Sequence, residues 1–207
     1  RKPAEPAYRR FETYEIVDPG KWTVNQGKDR IEFVHELGDT AGYAYTYRKT
    51  VRLLKDSLVL EHRLKNTGRK AIATSVYNHN FFTMDRQPTG PDIVVRFPFV
   101  PRAARPLNDL AEIRGHDARF LREFAKGQTV FTEVEGFGAT AKDYDFRIEN
   151  RKTGAGVRIT GDRPLQKVYF WTAHLTTCPE PYIDVSVEPG KESSWRITYQ
   201  FYQAAGG

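Results

Sequence analysis

The chain has 207 residues, 39% hydrophobic and 13% aromatic, with a formal net charge of +6 and a pI near 9.4. That length suits one large domain with a sizeable core, and the flat, aromatic-rich apolar set suits sheets. The 32 basic residues are interleaved with 26 acidic ones, and the densest basic stretch, "RFPFVPRAAR" at 96–105, holds only three arginines. With no RNP-like motif, zinc spacing or basic helix beside it, the charge reads as a solvated surface and nucleic acid is not expected as a partner. No apolar run approaches the roughly 20 residues of a membrane span, so no membrane partner is expected. Cys178 is the single cysteine, which excludes an intrachain disulfide. No signal-peptide pattern is present, and a start at Arg1 suggests a processed or trimmed N-terminus. The compartment stays open between cytoplasm and export, and the oligomeric state is not legible.

The opening "RKPAEPAYRR" is proline-rich and charged, an extended lead-in. Thereafter the dominant period is two. "KWTVNQ" leads to a turn at "GKDR", and "IEFVHEL" alternates Ile31, Phe33 and His35 against Glu32, Val34 and Glu36. "YAYTYRKTVRLL" is a long strand with Tyr43, Tyr45 and Tyr47 on one face. A turn at "KDS", the strand "LVLEHRLKN", a loop around Gly68 and "AIATSVYNHNFF" follow, giving an antiparallel meander. After a Pro/Gly loop, "IVVRFPFV" is a short strand broken by Pro98. Leu107, Leu110 and Ile113 recur at helical spacing, so one or two helical turns are expected around residues 106–125, interrupted by Gly115. The last third returns to strands: "YDFRIENRKTGAGVRIT" as strand, turn and strand, "KVYFWTAHL" as an aromatic strand, and a closing hairpin about Pro189-Gly190. There are no repeats. The pattern as a whole is that of one all-β antiparallel sandwich.

In "SVYNHNFFTM", His79 stands between Asn78 and Asn80 at a strand end that opens into a loop. By itself it fits either a core histidine satisfied in a polar network or a proton donor. Glu180, between Pro179 and Pro181, is a carboxylate on restricted backbone, fit for a general base or for an exposed loop. Trp171 and His174 in "FWTAHL" fall on opposite faces of a regular strand. His35 and His62 lie in charged strands and read as surface or sheet-face residues, and the lone pair His116-Asp117 is no metal motif. Cys178 has no basic neighbour in sequence to lower its pKa, and neither a nucleophile elbow nor a phosphate loop occurs.

Several segments, in order, resemble the galactose mutarotase-like (aldose 1-epimerase) family. "GDTAGYAYTYRKTVRLLKDSLVLEHRLKNTG" is similar to that family's strand-turn-strand run. "YNHNFF" resembles its Asn-His-x-Tyr-Phe motif, with Phe81 in place of Tyr. "IENRKTGAGVRITGDRPLQKVYFWT" and "CPEPYIDVSVEPGKESSWRITYQF" resemble its later strands and its glutamate-bearing C-terminal piece. The resemblance implies a β-supersandwich of residues 1–207 that lacks an N-terminal portion of the usual domain, including a further histidine and an arginine. It also implies roles. A general acid, matched by His79, would protonate the ring oxygen of a free sugar. A general base, matched by Glu180, would take the C1 hydroxyl proton. The ring would then open and reclose as the other anomer, with no cofactor and no metal. Asn78, Tyr77, Arg48, Trp171, His174 and Asp143 are the accompanying candidates for substrate binding. The alternative is a non-catalytic carbohydrate-binding protein or module on the same scaffold.

Overall fold

A computed structural model describes residues 12–204. Its strands, in chain order, are β1 (Lys21–Gln26), β2 (Arg30–Thr40), β3 (Tyr43–Leu54), β4 (Ser57–Asn66), β5 (Ile72–Val76), β6 (Ile93–Arg96), β7 (Arg102–Ala103), β8 (Ala111–Arg114), β9 (Asp117–Phe120), β10 (Thr129–Glu135), β11 (Asp145–Asn150), β12 (Ala155–Gly161), β13 (Lys167–Ala173), β14 (Thr176–Val187) and β15 (Glu192–Gln203). They form a ten-stranded sheet, β1-β2-β3-β4-β15-β12-β11-β6-β9-β8, and a five-stranded sheet, β5-β14-β13-β10-β7. Every pairing is antiparallel.

The expected strands β1 to β4 form a meander with a tight turn at Lys55-Asp56, although β1 is exposed throughout and on β2 Val34 is buried while Ile31 is exposed. Alternation decides which side chains enter the core. On β4, Leu60, His62 and Leu64 are buried, while Arg63 and Lys65 are exposed. On β10, Val130, Thr132 and Val134 are buried and Thr129, Phe131, Glu133 and Glu135 are exposed. Between the sheets, Phe97, Phe124, Phe146 and Phe170 are fully buried, with Phe97 edge-on to Phe146 at 5.3 Å between ring centroids. Each such ring contributes about 2–3 kcal/mol through burial alone.

The expected closing hairpin about Pro189-Gly190 is not formed: β14 pairs with β13 and β5 in the five-stranded sheet and β15 with β12 and β4 in the ten-stranded one, so this turn passes the chain between sheets. Two further expectations are corrected. The first is the helix around 106–125. Ala111–Arg114 and Asp117–Phe120 form a β-hairpin, and Gly115 sits in its turn at φ +60, a conformation that a side chain disfavours. Leu107 and Leu110 are buried, but as single plugs from a loop rather than as one helical face. The helical element among the described residues is a 3-10 turn at Ala141–Asp143. The second correction concerns "AIATSV", read as a further strand of the meander. This segment, β5, leaves the first sheet and pairs with β14 of the second, Val76 opposite Ile183.

Asn66 fixes that departure. It is completely buried, and its Nδ2 donates to Lys70 O and Val187 O, each at 2.8 Å. Its Oδ1 accepts from the Gly68 N–H at 2.9 Å. One side chain thereby ties the end of β4 and the loop into β5 to the end of β14.

Candidate active site

After β5 the chain keeps its alternation without a regular ladder. Residues 77–82 run alongside β14 until Phe82 bridges Thr177. Asn78 and Asn80 turn inward, and both amides donate to the Tyr199 hydroxyl, at 3.0 and 2.7 Å. Tyr77, His79 and Phe81, the odd residues, are thereby held on the other side. Tyr77 stacks on Tyr182 at 4.1 Å, and Phe81 stacks on His79 at 4.4 Å. The two asparagines that flank the histidine therefore work as anchors that aim it.

On β14, Cys178 and Glu180 are two residues apart and share the sheet face that His79 covers. His79 Nε2 lies 3.3 Å from Glu180 Oε1, and His79 Nδ1 lies 3.2 Å from Cys178 Sγ. The Glu180 side chain is 7% exposed and that of His79 37%. Burial pushes the Glu180 carboxyl above its usual range, and attraction to His79 partly offsets this. The Cys178 thiol is pushed up to about 12, chiefly by burial and then by the Glu180 charge. The thiol therefore sits between two partners, His79 Nδ1 and the Glu180 carboxylate, while His79 Nε2 faces Glu180. The arrangement can hold and move one proton between an imidazole and a carboxylate.

Around this pair the outer face of the five-stranded sheet is aromatic. Trp171, opposite Cys178 on β13, stands edge-on to both His79 (5.9 Å) and Phe81 (5.7 Å). Tyr169 is opposite Glu180 and meets Tyr182 at 5.6 Å. Lys167 Nζ lies over both tyrosine rings, at 5.1 and 4.4 Å. Aromatic faces beside a proton-transferring pair suit a ligand with both C–H and hydroxyl surfaces.

The structure brings together some of the sequence candidates and not others. His79, Glu180, Tyr77 and Trp171 share the outer face, and Asn78 lies behind it on Tyr199. His174 is in the β13–β14 turn, where Nδ1 bonds to Phe124 O. Arg48 is on the first sheet, on the opposite face from Tyr45 and Tyr47, and pairs with Glu32 at 3.4 Å. Asp143 accepts from the Gly138 N–H within its own loop. Nearby Asp145 is bound by Arg158 through two hydrogen bonds, at 2.8 and 2.6 Å. Asp117 is buried and receives Arg96, Arg119 and, at 3.6 Å, Arg151, an ionic knot in the first sheet.

Sequence reasoning missed Cys178, since the histidine beside it is 99 positions away. The available signal was the i, i+2 spacing of Cys178 and Glu180, which puts both on one strand face. His62 was also misread. It is 5% exposed, stacked at 4.8 Å on Trp195 and bonded through Nδ1 to the Tyr47 hydroxyl at 2.7 Å. It helps line a cavity of about 380 Å³ between the sheets, with Tyr47, Trp195, Val76 and Ile183. That cavity lies on the inner side of β5 and β14, is lined also by Tyr77 and Asn78, and includes neither His79 nor Glu180 in its lining.

No protein-family model matches the sequence, and no curated protein does either. Solved structures do match. A galactose mutarotase related enzyme from Lactobacillus acidophilus superposes with a TM-score of 0.67 at 16% identity, over 89% of this chain and 72% of that one. An aldose epimerase homologue from C. elegans gives 0.65 at 16% identity, over 89% and 69%. A galactose mutarotase-like protein from Clostridium acetobutylicum gives 0.63 at 12% identity, over 88% and 67%. The fold is that of the galactose mutarotase-like β-sandwiches. The chain spans 53% to 73% of the length of six such neighbours.

Proposed function

We propose that this mutarotase-like sandwich acts on a free sugar hemiacetal and interconverts its anomers, with His79 as general acid and Glu180 as general base. The observation that carries the reading is the 3.3 Å approach of His79 Nε2 to a buried Glu180 carboxylate. In the reaction the ring oxygen and the C1 hydroxyl are bonded to the same carbon. An acid and a base that serve them must therefore stand close together, and these two do.

In the free protein His79 Nε2 faces Glu180. A sugar seated on the aromatic face would interpose its C1 end. Glu180 would take the C1 hydroxyl proton, and His79, in its imidazolium form, would give the Nε2 proton to the ring oxygen as the C1–O bond opens, leaving a neutral ring. Rotation about C1 and the reverse transfers would deliver the other anomer and restore both groups. The raised carboxyl pKa supports the assignment, because it makes Glu180 a stronger base than a solvated glutamate. Contact of Nδ1 with Cys178 Sγ, at 3.2 Å, holds the ring with Nε2 toward Glu180. Trp171, Tyr169 and Tyr182 supply flat apolar surface for the sugar ring.

The test is the rate of anomer exchange for a panel of aldoses, read by NMR, with wild type compared against Glu180→Gln. Enhanced exchange in wild type and its loss in the variant supports the reading. Sugar binding without any enhancement of exchange would favour a carbohydrate-binding module instead.

A further inference from the structure

Among the described residues, one group brings three chemically different metal-binding side chains together. The ligand atoms of His79, Cys178 and Glu180 all lie within 4.8 Å of one another. We propose that this triad is also a binding site for a borderline-soft divalent cation of the Zn²⁺ class. In the acid–base function the thiol touches His79 but takes part in no bond change, and the inference does not depend on that function being correct.

The donor set is one imidazole nitrogen, one thiolate sulfur and one carboxylate oxygen. Nitrogen and sulfur donors select Zn²⁺-type ions over Mg²⁺ or Ca²⁺, which demand oxygen. Three protein ligands leave a fourth tetrahedral position for water. With Zn–S near 2.3 Å and Zn–N near 2.1 Å, two tetrahedral ligands lie about 3.5 Å apart. His79 Nδ1 and Cys178 Sγ stand at 3.2 Å, close to that separation. The ion would sit between them on the Nδ1 side, and Glu180 would complete the set through side-chain rotation, its backbone held in β14. Cys178 and Glu180 are fixed on one strand face, while His79 is the exposed ligand through which an ion enters. On binding, Zn²⁺ displaces the thiol proton, which passes to solvent, and a Zn–S bond forms with no change of oxidation state.

Occupancy has a consequence for the same face. An ion held here takes the Glu180 carboxylate and reorients His79, so metal binding and acid–base proton transfer exclude each other.

The experiment titrates the full chain with Co²⁺ alone, under reducing conditions, and follows the thiolate-to-cobalt charge-transfer absorption in the near ultraviolet. One equivalent is expected to produce the band, and added Zn²⁺ to abolish it. Competition against a chromophoric chelator then measures Zn²⁺ affinity. His79→Asn and Cys178→Ser are each expected to weaken it at least tenfold, with the far-ultraviolet circular dichroism of each variant confirming its fold. No thiolate band in the wild-type protein, or equal Zn²⁺ affinity in the wild type and Cys178→Ser, overturns the proposal. The cobalt readout needs no variant and no sugar, so it stands or falls separately from mutarotation.

Discussion

His62 provides a pH test of the fold whose size follows from its surroundings. The ring is 5% exposed and stacked on Trp195, and its pKa falls from 6.5 to about 4, mainly by burial and then through Lys49. Between those pH values the unfolded chain binds a proton that the folded chain does not. Stability therefore falls as the pH is lowered through this window. At about 1.4 kcal/mol per pKa unit, the neutral ring contributes on the order of 3 kcal/mol at pH 7 that is lost by pH 4. The perturbation is His62→Phe, which keeps a stacking ring and removes the titration. The assay is urea unfolding of both proteins at pH 7 and at pH 4. Wild type should lose about 3 kcal/mol more than the variant between the two conditions. Glu180 acts in the opposite direction, since its raised pKa favours the folded state at low pH, but it is common to both proteins and cancels. The Asp117 carboxyl is held below 3.8 by its arginines, so its loss of stability falls below pH 4. Equal pH dependence in the two proteins would refute the account of His62 as a buried neutral base. The absolute stability of the variant also drops, because the Tyr47 hydroxyl loses its hydrogen-bond partner.

Asn66→Ala should destabilise the fold by about 2–3 kcal/mol in the same denaturant assay, because it removes the amide that the Lys70 and Val187 carbonyls accept from, while the Gly68 N–H keeps the Ala44 carbonyl. A loss under about 0.5 kcal/mol would contradict its role as the tie between the sheets. Trp171→Ala should weaken sugar affinity about tenfold, or ~1.4 kcal/mol, in a calorimetric titration, with little effect on stability. Unchanged affinity would place the sugar elsewhere than on the aromatic face.

Strand positions were legible where one face is buried and the other wet. The "YDFRIEN" alternation predicts β11 and the "LVLEHRLKN" alternation the position of β4, since a period of two is what a half-buried strand requires. The same rule, applied strictly, would have placed His62 between Leu60 and Leu64 on the core side. Its charged neighbours Glu61 and Arg63 belong to the other face. The region 106–125 misled for the converse reason. Three apolar residues at helical spacing are also what separate loop plugs and a short hairpin produce, and Gly115 was the turn rather than an interruption.

At the candidate site, the pairing of His79 with Glu180 was expected from the resemblance of "YNHNFF" and "CPEPY" to family motifs. The physical basis of the pairing was not legible. It depends on Asn78 and Asn80 meeting Tyr199, some 120 residues away, and on β5 crossing between sheets. Arg48 and His174 were drawn in by residue type alone. The pleat of β3 and the turn after β13 send them elsewhere.

The central claim is that His79 and Glu180 exchange protons with a sugar hemiacetal, and anomer exchange measured by NMR tests it most directly. Wild type should accelerate exchange of at least one aldose. Glu180→Gln and His79→Asn should each lose about 100-fold or more of that acceleration while remaining folded. Undiminished exchange in both variants would contradict the claim.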